Sequence, residues 1–254
     1  MTTKEAYVNI KKQTGIGIIE FFHPQSNSLP SHLLNNLAET INEAGNDDSI
    51  NVIILKSGGD RTFCAGASFD ELKSISNSKE GLDFFSGFAK VINAARKCPK
   101  LIIGRVQGKA VGGGVGMASA VDYCFATKYA SIKLSELAIG IGPFVVGPAV
   151  ERKMGLSGMS TLAINATKWF DANWAKNKGL YAEVFESTQE MDKHIEELSL
   201  KLSHSYQNAT CSLKKTLWEG TEHWDKLLVE RAKISGELIL SDFSKNAINA
   251  IKSK

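Results

Sequence analysis

The chain is poor in cysteine and proline, and it has no long uninterrupted apolar run. Its four cysteines, Cys64, Cys98, Cys124 and Cys211, stand far apart and never in a Cys-x-x-Cys pair, which excludes a disulfide framework and a zinc ribbon. Cys124, inside Asp122-Tyr123-Cys124-Phe125-Ala126, reads as a small packing hydrophobe. The five histidines, His23, His32, His194, His204 and His223, show no paired ligand spacing, so no metal site is expected. No uncharged apolar stretch reaches the roughly 18 residues that a membrane span needs. The opening Met1-Thr2-Thr3-Lys4-Glu5-Ala6 also lacks the apolar core of a signal peptide. The expectation is a cytoplasmic protein without a membrane partner. Basic runs are missing too: 30 basic and 27 acidic residues leave a net charge of +3 spread along the chain. A nucleic-acid partner is therefore not expected.

What is present is an ordinary globular composition. Hydrophobic residues make up 43% and charged residues 22% of 254 residues, enough to bury a sizeable core. Tyr7-Val8-Asn9-Ile10-Lys11 and Gly15-Ile16-Gly17-Ile18-Ile19-Glu20-Phe21-Phe22 predict an opening hairpin. Leu33, Leu34, Leu37, Ile41 and Ala44 recur at helical spacing, and Asn51-Val52-Ile53-Ile54-Leu55-Lys56 reads as a strand covered on both faces. A loop over 58–69 leads to a helix expected over 81–97, and Leu101-Ile102-Ile103-Gly104-Arg105-Val106 is the next buried strand. Short strands at 122–127 and 131–134 and a helix over 144–154 complete an α/β rhythm. Beyond Gly155 the pattern is mostly helical, interrupted at Leu180-Tyr181-Ala182-Glu183-Val184-Phe185. A soft boundary near residue 190 separates a sheet-rich body, 1–190, from a helical region, 191–254. The four tryptophans, Trp169, Trp174, Trp218 and Trp224, read as packing residues.

The stretch Val106-Gln107-Gly108-Lys109-Ala110-Val111-Gly112-Gly113-Gly114-Val115-Gly116 sends a strand into bare glycine backbone and then into small residues that open a helix. Its glycine spacing does not fit a dinucleotide fold, and it lacks the Gly-Lys-Ser/Thr ending of a P-loop. Exposed amides at such a turn suit a carbonyl oxygen that gains negative charge. Some twenty residues later stands Glu136, the only acid between Ala130 and Val150. In apolar surroundings its pKa would rise toward neutrality, as a group that takes and returns a proton requires. Ser135 has no Gly-x-Ser-x-Gly elbow, which speaks against a serine hydrolase. Asp122 opens a strand and reads as a structural cap or pair.

Three segments together resemble the enoyl-CoA hydratase/isomerase (crotonase) family: Thr62-Phe63-Cys64-Ala65-Gly66-Ala67, the glycine turn, and Asp122-Tyr123-Cys124-Phe125-Ala126-Thr127 leading to Leu134-Ser135-Glu136. His23-Pro24-Gln25-Ser26-Asn27-Ser28-Leu29 is similar to the family's early Pro-x-x-Asn-Ala-Leu segment. The resemblance implies a crotonase-like ββα spiral with a helical C-terminal trimerisation region, assembled as a homotrimer or a dimer of trimers. It implies an acyl-CoA thioester substrate and no cofactor, since coenzyme A belongs to the substrate. It further implies that the amides of Ala67 and Gly113 hold the thioester oxygen as an enolate, with Glu136 moving the proton. Ala65, Gly66, Gly112, Gly116, Phe144 and Val145 would line the path of the CoA and its acyl group, Phe144 and Val145 on the acyl side. Lys214, Lys215 and Lys226 are candidate partners for the CoA phosphates, against the plainer reading of surface lysines.

One departure matters most. Typical hydratases carry a first glutamate where this chain has Gly116 and a second at Glu136. Leu134-Ser135-Glu136 followed by Pro143-Phe144-Val145-Val146 resembles a methylglutaconyl-CoA hydratase-like subgroup. The expected activity is therefore hydration of a 2-enoyl-CoA with a branched, methylglutaconyl-type acyl chain. The alternatives are a double-bond isomerase that uses a single glutamate and a non-catalytic CoA-binding protein.

Overall fold

The computed structural model describes residues 5–251. The chain opens with the hairpin β1 (Tyr7–Gln13) and β2 (Ile16–Phe22), joined at Thr14 and Gly15, whose φ angles of 47° and 77° are those of a tight two-residue hairpin turn. Then follow β3 (Ser28–Leu29), α1 (Ser31–Asn46), β4 (Val52–Ser57), β5 (Thr62–Cys64), β6 (Gly66–Ala67), α2 (Phe69–Ser74) and α3 (Ser78–Lys97). The middle of the chain holds β7 (Leu101–Val106), β8 (Lys109–Val111), α4 (Gly113–Ala120), β9 (Tyr123–Thr127), β10 (Ile132–Lys133) and a 3-10 turn at Glu136–Ile139. The last third comprises α5 (Gly147–Ile164), α6 (Ala172–Asn177), β11 (Glu183–Phe185), α7 (Thr188–Ser203), α8 (Gln207–Leu217), α9 (Trp224–Leu238) and α10 (Asp242–Ile251).

The main sheet runs β1-β2-β4-β7-β9-β11, antiparallel between β1 and β2 and parallel elsewhere. Parallel strands need helical crossovers, and these cover both faces. Alternate residues of β4 divide accordingly. Ile53 and Leu55 join Leu37, Ile41 and Ile92 of α1 and α3 on one side, while Val52 and Ile54 join Met191 and Ile195 of α7 on the other. A strand buried on both faces is mostly apolar, which is why the runs Val52 to Leu55 of β4 and Leu101 to Gly104 of β7 were readable. The C-terminal helices pack back on the body: α7 closes the second face and α9 lies along α3. Gly81 and Gly236 mark that second contact; a Cβ on Gly81 would lie 2.6 Å from the Gly236 carbonyl oxygen.

Two small parallel sheets, β10-β8-β5 and β3-β6, are built from segments that follow the carboxyl ends of β2, β4, β7 and β9. These ends are where open α/β folds carry their ligands.

Several expectations need correction. The helix expected over 144–154 begins later, at Gly147, because Pro143 to Val146 form a turn closed by Gly147 N–H donating to Pro143 O at 2.8 Å. It continues to Ile164 across a break at Gly155, where φ is 70°. The short helix α2 follows the expected loop, in a stretch where no element was expected; Ser68 caps it, its Oγ accepting from Glu71 N–H at 3.4 Å. Asp122 is the structural pair expected, but its partner is Lys214. The Asp122 carboxylate accepts from Lys214 Nζ, Trp218 Nε1 and the Ile102 N–H, each at 2.7 Å. The Lys214 side chain is only 2% exposed, so it is unable to reach a CoA phosphate. Lys215 and Lys226 are exposed, as the plainer reading required. Trp169 does not pack inside; it is 39% exposed.

Candidate active site

The glycine turn and the lone glutamate, far apart along the chain, meet. Gly112 N–H donates to Lys133 O at 2.9 Å, which ties the turn to the strand just before Glu136. Gly112 sits at φ 52° and ψ −115°, and a Cβ there would lie 2.9 Å from Glu136 Oε1. A side chain at this position would be both strained and in collision with the carboxylate. Gly113 is the first residue of α4, so its N–H has no acceptor within the helix and lies at the positive end of the helix dipole. Any Cβ on Gly113 would enter the ring of Phe88, at 2.2 Å.

The opposite wall is the loop that ends in β6. Ser68 N–H donates to Leu29 O at 3.1 Å, and Ala67 faces Leu29 in the parallel pairing of β3 and β6. A parallel ladder bonds alternate residues, so the Ala67 N–H points away from β3. The Gly66 N–H contacts Cys64 Sγ at 3.3 Å, and an added Cβ on Gly66, whose φ is 95°, would lie 3.9 Å from Gly113 N. The Ala67 loop and the Gly113 turn are thus adjacent.

Between them lies a cavity of about 110 Å³ lined by Ala65, Gly66, Ala67, Val111, Gly112, Gly113, Ser135, Glu136, Phe144, Val145 and Val146, with Phe69, Leu72, Phe84, Phe85 and Phe88 at its apolar end. Glu136 is the only ionisable residue among its described lining. Glu136 as a whole is half-buried, but its Oε2 is enclosed and has no hydrogen-bond partner among the described residues. Burial pushes the Glu136 pKa up to about 7, against a weaker pull from its own backbone N–H. An acid with that pKa exchanges protons readily near neutrality.

Gly116 does not line the cavity. A Cβ on Gly116 would lie 2.5 Å from Val146 Cγ1, so this glycine makes room for Val146, which forms the wall itself. Of the residues expected in the site, Ala65, Gly66, Ala67, Gly112, Gly113, Glu136, Phe144 and Val145 come together, and Gly116 stands one layer behind. Val146, Phe84 and Ser235 were not anticipated as lining. They arrive from the turn before α5, from α3 and from α9 in turn, and only Phe84, in the run Phe84-Phe85-x-x-Phe88, carried a sequence signal.

A second, polar cleft of about 620 Å³ shares Ala65 and Val111 with this cavity and is lined by His23, Asn27, Asp60, Arg61, Lys109 and Trp169 among others. Asn27 holds its rim: Nδ2 donates to Gly58 O at 2.9 Å and Thr62 O at 2.8 Å, and Oδ1 accepts from His23 N–H at 2.9 Å. Burial and the nearby His32 lower the His23 pKa, with Asp70 opposing them. Among the described residues no cluster of His, Cys, Asp and Glu could hold a metal, and no helix is long and apolar enough to cross a membrane.

This geometry has relatives. The chain is 27% identical over 250 residues to a short-chain-enoyl-CoA hydratase of Clostridium acetobutylicum, covering 97% of this chain and 95% of that protein. It is 33% identical over 167 residues to the human mitochondrial methylglutaconyl-CoA hydratase, over 65% of this chain and 49% of that one. The fold superposes on the crystal structure of an enoyl-CoA hydratase from Bacillus halodurans with a TM-score of 0.88 at 24% identity, covering 96% and 99% of the two chains. The enoyl-CoA hydratase/isomerase family model matches residues 11–249. With nearly the whole length matched and a glycine-turn amide set against a buried acid, the chain belongs to the enoyl-CoA hydratase/isomerase family.

Proposed function

We propose that this protein hydrates a 2-enoyl-CoA thioester, with the N–H groups of Ala67 and Gly113 as the oxyanion hole and Glu136 as the single acid/base. The observation that carries this reading is the buried, unpartnered Oε2 of Glu136, poised near pKa 7 against the glycine turn. In the forward step Glu136 takes a proton from water as the hydroxyl adds to the β-carbon. The double-bond electrons move onto the thioester oxygen, where two amides stabilise them by several kcal/mol. The same carboxyl then returns its proton to the α-carbon. Ser135 lines the cavity beside Glu136 and makes no capping bond, so its hydroxyl is available to the water. The polar cleft with His23 and Arg61 suits the nucleotide end of CoA, and Ala65, shared by both spaces, suits the pantetheine between them.

The acyl end of the cavity speaks against the methylglutaconyl-type chain expected from the sequence. That chain carries a free carboxylate, and no lysine, arginine or histidine is among the described lining residues to pair with it. An uncharged acyl chain fits the phenylalanines. The second reading, a double-bond isomerase, is favoured by Val146: it fills the place of a second carboxylate and leaves one acid to carry a proton between two carbons. Product masses from a 2-enoyl-CoA and a 3-enoyl-CoA separate the two. Addition of one water supports hydration, and an unchanged mass with a moved double bond supports isomerisation. Turnover of neither ester, with CoA still bound, would leave the non-catalytic reading.

Exposed apolar side chains on the C-terminal helices, Leu213, Leu217, Val229 and Leu238, support self-assembly as a homotrimer or a dimer of trimers.

A further inference from the structure

At the polar cleft, two lysines approach the ring of Trp169. Lys109 Nζ lies 4.9 Å from the centre of the Trp169 ring and Lys133 Nζ 4.6 Å from it. The backbone imposes this arrangement. β8 and β10 are parallel neighbours, with Lys133 opposite Val111, so Lys109 and Lys133 belong to adjacent strands of one small sheet. Phe170 forms an antiparallel bridge to Ile132, its N–H donating to Ile132 O at 3.0 Å and its O accepting from Ile132 N–H at 2.8 Å. An antiparallel bridge at 132 and 170 sets residue 169 across from residue 133, so Trp169 faces Lys133.

Two ammonium groups on one indole repel each other, and neither has an acidic partner among the described residues. Burial lowers the Lys133 pKa and the charge of Lys109 lowers it further. The ring's electron-rich face offsets part of that repulsion and holds the pair in place. Such a preassembled pair of cations matches a phosphate, which offers several acceptor oxygens and up to two negative charges. Lys109 and Trp169 both line the cleft that joins the acyl cavity at Ala65 and Val111.

We propose that Lys109, Lys133 and Trp169 form a preassembled seat for a phosphate group in the nucleotide moiety of acyl-CoA. The seat rests on the acyl-CoA reading and adds to it a recognition element outside the reacting centre. It makes the protein select the full CoA ester over the bare pantetheine ester.

The test uses one enoyl chain carried on CoA, on dephospho-CoA, which lacks the 3′-phosphate, and on pantetheine. In the double variant Lys109→Met/Lys133→Met, KM for the CoA ester should rise roughly tenfold with kcat unchanged, while KM for the pantetheine ester stays put. Trp169→Leu should raise KM in the same selective way, by a smaller factor. If dephospho-CoA erases the difference between wild type and double variant, the 3′-phosphate is the group held; if the difference persists, it is the diphosphate. An unchanged KM for the CoA ester, or an equal rise for the pantetheine ester, overturns the proposal. Calorimetric titration of CoA alone separates this failure from failure of the underlying reading. Equal CoA affinity in wild type and double variant overturns the phosphate seat alone, whereas absence of CoA binding to wild type overturns both.

Discussion

A glutamate enclosed by glycines and hydrophobic walls has little to offset the loss of water, and that alone brings Glu136 to about 7. The direction of the shift fixes its effect on stability. The folded state keeps the proton more tightly than the unfolded chain, where the group titrates near 4.5. Stability from this group is therefore full below about pH 4.5, declines as pH rises through 7, and levels off above it, a total on the order of 3 kcal/mol. Glu136→Gln removes that dependence. The variant should gain in melting temperature relative to wild type between pH 5 and pH 8, measured by calorimetry at both ends; a gap that does not change with pH would mean the carboxylate is solvated. Glu136 was legible in the sequence as the one acid in a long apolar window. Ala67 and Gly113 were legible only through the family pattern, because an amide acts by its backbone and leaves no side-chain signature. Val146 was not legible at all, since its place in the wall follows from how α4 meets the turn before α5.

At the scale of elements, that meeting shapes the cavity wall. Gly116 of α4 and Val146 are fitted to each other with no spare room. Gly116→Ala should cost about 1–3 kcal/mol through overpacking. Val146→Ala should cost a similar amount through the space it leaves. Together they should cost clearly less than the sum, because the new methyl enters the vacated volume. Denaturant unfolding of the four proteins in the cycle checks this, and strict additivity would show that the two residues do not touch. The hairpin, β4, β7 and the helix before β7 were readable because each is long or periodic. α2 was not: of its six residues only Leu72 is buried, and its start depends on a single serine cap.

For the whole molecule, the sheet is tied to the C-terminal helices by the buried set Asp122, Lys214 and Trp218, drawn from positions 92 and 96 residues apart. No local pattern reports a contact across that distance, which is why Lys214 passed for a possible phosphate ligand. Lys214→Met leaves the Asp122 carboxylate buried without its cation and should destabilise the fold by about 3–5 kcal/mol. KM for an acyl-CoA should not change in that variant. A raised KM with unaltered stability would return Lys214 to the substrate. The exposed leucines of α8 and α9 belong to this scale too: sedimentation should give a mass three or six times that of one chain, and a monomer at micromolar concentration would contradict the proposed assembly.

The proposed mechanism sets one acid, Glu136, against the two amides of Ala67 and Gly113. The most direct measurement is turnover of an uncharged 2-enoyl-CoA by wild type and by Glu136→Gln, with products weighed by mass spectrometry and CoA binding followed in parallel. Wild type should add one water, and Glu136→Gln should lose roughly a hundredfold to ten-thousandfold in rate while binding CoA as before. Equal turnover by the two proteins would contradict the account.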